Sequence, residues 1–169
     1  PTLCSFAVGV GDIHHVVTPE LKQAGSELYL LDIKKDAYGM PDYEDALAQY
    51  RQLYDTISNG KVLSSYVLGM GGLIEAVSKM AFGNRLGVAL DSNALSLDDL
   101  TRKDYGYIVV EMEAGSKPLF RSKKIGAVVA EETFSYNGVN VSMDEAMKAW
   151  TGTLENVFPT STHKQQVEL

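Results

Sequence analysis

The chain has 169 residues, 45% hydrophobic and 22% charged, which suits one folded domain and excludes collagen-like or mainly disordered chains. With 22 acidic against 15 basic residues and a net charge of -7, it lacks the phosphate-neutralising footprint of a DNA or RNA binder, so no nucleic-acid partner is expected. Cys4 is the sole cysteine, which excludes an internal disulfide and a cysteine-built zinc site and fits a reducing, cytoplasmic setting; no apolar run is long enough for a membrane span, and the start Pro1-Thr2-Leu3-Cys4 lacks the charged region and cleavage site of a signal peptide.

In chain order, Leu3 to Val8 is a short apolar run closed by Gly9 and Gly11 and reads as a buried strand. Thr18-Pro19-Glu20 carries a helix-start signal that Gly25 cuts short, and Leu28 to Ile33 reads as a second strand. From Asp42, a plausible N-cap, Tyr43, Ala46, Leu47, Tyr50, Leu53, Tyr54 and Ile57 recur at helical spacing as far as Asn59-Gly60. Val62 to Leu68 is the next strand. It leads through Gly69-Met70-Gly71-Gly72 into a helix whose inward face carries Leu73, Val77, Met80 and Ala81 and which closes at Gly83-Asn84. Leu86 to Leu90 and Tyr107 to Met112 are strands, separated by one or two helical turns over Ser96 to Leu100. Ile125 to Ala130 is another strand, and Phe134 to Val141 a hairpin turning at Asn137-Gly138. Ser142 and Glu145 form a capping box opening a last helix whose apolar face is Met143, Ala146, Met147, Trp150, Leu154 and Val157. The polar stretch Pro159 to Leu169 reads as linker.

The strand, glycine turn and helix at Gly69, Gly71 and Gly72 form the kind of place where backbone N–H groups and a helix dipole meet a phosphate. The same glycines also suit a tight connection needed only for packing, since neither a dinucleotide fingerprint nor a P-loop is present. Asp12, His14 and His15 offer metal-ligating and acid–base groups, but neighbouring histidines on a strand point to opposite faces, and loop residues are the expected reading. Cys4 in an apolar strand reads as a buried, inert thiol rather than a nucleophile. The paired acids Asp98, Asp99, Glu111, Glu113, Glu131 and Glu132 read as solvated surface, and the Tyr43, Tyr50, Tyr54 stripe as a packed helix face. No catalytic residue and no metal site is assigned.

Several stretches, in order, resemble the final ligase-type domain of the phosphoribosylformylglycinamidine synthases. These are Pro1 to Gly9, Val17 to Gly25, Gly71-Gly72-Leu73 through Met80-Ala81-Phe82-Gly83, Ile125-Gly126-Ala127-Val128-Val129, and Trp150 with Val157-Phe158-Pro159-Thr160. The resemblance implies an α+β, three-layer α/β/α domain over residues 1–158. The implied fold is that of the C-terminal domain of the aminoimidazole ribonucleotide synthetase superfamily, partly ferredoxin-like. Residues 159–169 would then lead towards a missing glutaminase domain. It further implies a fragment of a cytoplasmic purine-biosynthesis enzyme that uses ATP, magnesium and glutamine to amidate formylglycinamide ribonucleotide. Most ATP and magnesium ligands would come from N-type ligase domains of the same polypeptide, so the isolated domain would be inactive and would bind neither tightly. Exposed interdomain surface is compatible with a dimer of the excised piece. Large family members carry an Asp and a Ser in this turn that hold magnesium and phosphates. Aligned on Gly71-Gly72-Leu73, those positions are Val67 and Gly69, without side-chain oxygens, and Met70 replaces a further Asp. Lys123 and Lys124 stand where the family commonly has acidic residues. The alternative reading is a free-standing phosphate- or nucleotide-binding domain that uses the Gly69 to Gly72 turn.

Overall fold

The structure is a computed structural model that describes residues 2–159; the expected linker, apart from Pro159, lies outside the described residues. Seven strands form one sheet in the order β2-β4-β1-β5-β3-β6-β7. They are β1 (Glu27–Leu31), β2 (Val62–Val67), β3 (Gly87–Leu90), β4 (Ile108–Met112), β5 (Ser122–Val129), β6 (Thr133–Tyr136) and β7 (Val139–Ser142). Every pairing is antiparallel except β3 with β6.

Helices cover both faces because the central strands are apolar on both sides. Leu28 and Leu30 of β1 join Val109 and Ile125 in a core with α2 (Gly72–Asn84), α3 (Leu97–Thr101) and the start of α4 (Met143–Gly152). Leu31, Val110 and Met112 face the other way, against Ala46 and Leu53 of α1 (Tyr43–Ser58). The result is the expected three-layer α+β domain. Its ferredoxin-like part is the run β5-β1-β4-β2, in which α1 makes the first crossover. The departures are the inserted α2-β3-α3 before β4 and a second crossover, between β4 and β5, that has no helix.

Local signals explain most elements. Asp42 caps α1 by accepting from the amides of Glu44 and Asp45. Asn137 and Gly138 both take positive φ, as a two-residue hairpin turn requires. Ser142 caps α4 by accepting from Glu145 N. Leu73, Val77, Met80 and Ala81 are fully buried, as their spacing implies. On the outer part of α4, Trp150 stacks on Phe82 with ring centroids 5.2 Å apart but stays half exposed, and Leu154 and Val157 are exposed.

Several expectations are corrected. Residues 2–12 form no strand: Leu3, Phe6 and Val8 are exposed, and Cys4 is an exposed thiol. The stretch after Thr18 forms no helix, because its amides are used elsewhere. Lys22 N and Gln23 N donate to the Glu111 carboxylate, and Leu21 N donates to Met80 O. Glu111 is therefore no surface acid; it is completely buried. The Tyr stripe of α1 packs only at Tyr50, since Tyr43 and Tyr54 are exposed.

One irregularity positions a side chain used below. Where β1 meets β5, Leu28 opposes Gly126 but Tyr29 opposes Lys124, so Ile125 is an extra residue in β5. Beyond this bulge Lys123 pairs with Leu30, while Lys124 lies beside Glu27 and donates to its carboxylate at 2.5 Å.

Candidate functional site

β2 and β4 hold each other to their ends, with Leu68 N donating to Tyr107 O at 2.9 Å, and the chain then turns through Gly69 to Gly72 into α2. Two of these glycines have separate physical reasons. Gly72 has φ +71°, and a Cβ there would lie 2.8 Å from the carbonyl oxygen of Arg102, so α2 and the end of α3 touch through a bare backbone. At Gly71 a Cβ would come within 2.6 Å of Glu75, whose side chain folds back over the turn. Glu75 Oε2 accepts from Gly71 N at 2.7 Å and its Oε1 pairs with Lys79 at 2.5 Å. The Lys79 ammonium, then the Gly71 N–H, hold this carboxylate below its usual range. A protein carboxylate thus sits where the sequence pattern suggested a phosphate. Val67 and Met70 are exposed beside it.

A polar pocket of about 140 Å³ opens next to this turn at the end of the sheet, lined by Leu68, Tyr107, Arg102, Asp104, Asp32 and Lys123 among others. α3 fixes its rim. Ser96 and Asp99 form a reciprocal capping box, and Arg102 reaches back to Asp99 through Nη1 and to Asp104 through Nε, both at 2.7 Å. Asp104 is nearly buried and also receives Lys35 Nζ at 3.1 Å. Lys35 lies over the Tyr107 ring, 4.4 Å from its centre. Behind Asp32, Arg121 pairs with that carboxylate and forks onto both oxygens of Asp45. Burial, and then the charges of Asp104 and Asp32, push the Tyr107 phenol up, so it keeps its proton and acts as a donor.

The other residues singled out from sequence lie apart from this cluster. Asp12 caps a short 3-10 turn, Ile13–His15, by accepting from His14 N. His15 meets the Tyr54 ring edge-on and His14 is exposed. Among the described residues no group of His, Cys, Asp and Glu is placed to hold a metal ion, and no helix is long and apolar enough to cross a membrane. Sequence reasoning missed Arg102, Asp104, Asp32 and Tyr107 as one site. Each looked like ordinary polar surface or strand, and only Lys123 carried a signal, through its unusual charge.

No protein-family model matches the chain. Solved structures share its fold. PurLQS from Thermotoga maritima superposes with a TM-score of 0.69 at 16% identity, over 82% of this chain and 29% of that one. T. maritima PurL complexed with FGAR gives 0.64 at 13% identity, over 78% and 29%. E. coli HypE, a hydrogenase maturation protein, gives 0.56 at 17% identity, over 77% and 52%. The chain therefore spans under a third of the PurL length, and at these identities the likeness is one of fold.

Proposed function

We propose that the chain is a cleft-forming C-type domain of a phosphoribosylformylglycinamidine synthase, the ligase that amidates formylglycinamide ribonucleotide with ATP and glutamine. The supporting observation is the polar pocket at the sheet end, opening beside the glycine turn on a fold shared with T. maritima PurL, which has been solved with ATP, ADP and FGAR. In this reading the domain forms one wall of a cytoplasmic, multidomain enzyme. N-type ligase domains bring most ligands for ATP and magnesium, and a glutaminase domain follows residues 159–169. Gly69, Gly71 and Gly72 shape the wall; contact of the Gly71 N–H with a nucleotide phosphate requires Glu75 to swing off it first, while the Gly72 N–H is held by Gly69 O.

The test is turnover. The purified chain, given ATP, magnesium, formylglycinamide ribonucleotide and either glutamine or ammonia, should form no product. Joined to N-type ligase domains of its own polypeptide, it should support ammonia-dependent ATP turnover. Turnover by the chain alone, or none after joining, would sink the reading.

A further inference from the structure

Around the pocket at the sheet end, the carboxylates are already matched. Arg102 serves Asp99 and Asp104, Lys35 also serves Asp104, and Arg121 holds Asp32. The donors are not. Among the described residues neither the Lys123 ammonium nor the Tyr107 hydroxyl has a hydrogen-bond partner, and Arg102 uses Nε and Nη1 but not Nη2. Lys123 and Arg102 are exposed, and no residue that is not exposed, Tyr107 included, has a sealed side-chain polar atom without a partner, so these three donors face open space. Leu30, Leu68 and Leu95 supply an apolar floor, which strengthens any charge-assisted bond made above it.

The β5 bulge places Lys123 on the same face as Leu30, so its ammonium belongs to the pocket while Lys124 is tied to Glu27 on the other face. A volume of about 140 Å³ admits one small polar group; pockets for whole drug-sized ligands run to ~300–1,000 Å³. We infer that this pocket binds a single oxyanion, the phosphate or carboxylate group of a ligand, through Lys123, Tyr107 and Arg102. The ion pairs leave Lys123 as the lining cation without a carboxylate, and the leftover hydrogen-bonding side-chain groups are three donors against one acceptor, Asp32 Oδ2, a balance that favours an anion. The inference gives a ligand class to the cleft wall proposed above, but its test needs no partner domain, so the two readings fail separately.

The full chain is titrated in separate arms with sodium phosphate and sodium acetate, with sodium chloride as the ionic-strength control, and backbone amide shifts are followed by NMR. Saturable shifts at Gly69, Tyr107 and Lys123 are expected with at least one oxyanion and not with chloride. A response to phosphate alone assigns a phosphate ester, to acetate alone a carboxylate, and to both an oxyanion site of either kind. Lys123→Gln should weaken binding about tenfold and Tyr107→Phe less, whereas Lys148→Gln on the exposed side of α4 should leave it unchanged. Shifts that fail to saturate in both oxyanion arms, that chloride reproduces, or that survive both Lys123→Gln and Tyr107→Phe overturn the inference.

Discussion

Ser64 and Glu111 face each other across the β2–β4 pair and share a 2.7 Å hydrogen bond, inside a site where Glu111 is wholly buried. The other Glu111 partners are the Ser26 hydroxyl at 2.6 Å and the amides of Lys22 and Gln23, so among the described residues its hydrogen-bond partners are neutral donors and include no Lys or Arg side chain. A carboxylate accepts on both oxygens, but a carboxamide would turn one end into a donor facing donors. Glu111→Gln is expected to cost about 2–4 kcal/mol of unfolding free energy in urea melts. A loss below about 0.5 kcal/mol would mean the network adds nothing.

Gly72 and Gly69 separate shape from conformation in the glycine turn. Gly72→Ala adds a Cβ at positive φ against the Arg102 carbonyl and is expected to destabilise by at least about 2 kcal/mol. At Gly69 the added Cβ only meets Glu75 Oε2 at 3.4 Å, so Gly69→Ala should stay within about 0.5 kcal/mol of the parent. Thermal melts of the pair decide this, and equal losses would refute it.

Acid should weaken the fold in a defined window. Hydrogen bonds from Arg121 hold Asp45 well below its usual range, Lys124 does the same for Glu27, Lys79 for Glu75, and the Ser96 amide for Asp99. Groups with depressed folded values contribute stability that is complete above the unfolded values, 3.8 for Asp and 4.5 for Glu, and is lost as pH falls through the folded ones. The melting temperature is therefore expected to be flat above about pH 5 and to decline below it. Added salt should blunt the part from the Lys124 and Lys79 pairs, which are partly open to solvent. A decline that begins above pH 6 would point to another titrating group.

Cys4 sits in an exposed stretch and makes no hydrogen bond among the described residues. Alkylation with iodoacetamide should proceed at indistinguishable rates in native buffer and in urea at the same pH. Marked protection in the native protein would place residues 2–12 against a surface.

What was legible from sequence was what local chemistry decides. α1, α2 and the β6–β7 hairpin follow from helical spacing, the Asp42 cap and the Asn137-Gly138 turn, each acting within a few residues. The stretch after Thr18 was misread because its amides bond to Glu111, far along the chain, in preference to their own helix. Leu3 to Val8 was misread because an apolar run shows a tendency to pair but not whether a partner strand exists. The site divides in the same way. Its glycine turn is one contiguous motif, whereas Asp32, Arg102, Asp104 and Arg121 meet only because β1, β4 and β5 are neighbours in the sheet.

The extra residue in β5 sets the phase of everything before it in that strand. Were Ile125 paired regularly with Tyr29, Lys124 would stand opposite Leu30 and Lys123 opposite Leu31, on the side of α1. The two lysines are chemically alike, so composition would not change, yet the residue sent to the pocket would be a different one and the Glu27 pair would lose its partner. The bulge thus sets parity: pairing Ile125 regularly would send the other lysine to the pocket, whereas deleting Ile125 would leave Lys124 opposite Tyr29 and Lys123 opposite Leu30 as they are. Sequence comparison with a relative that lacks the extra residue should accordingly be offset by one from this point back towards Ser122.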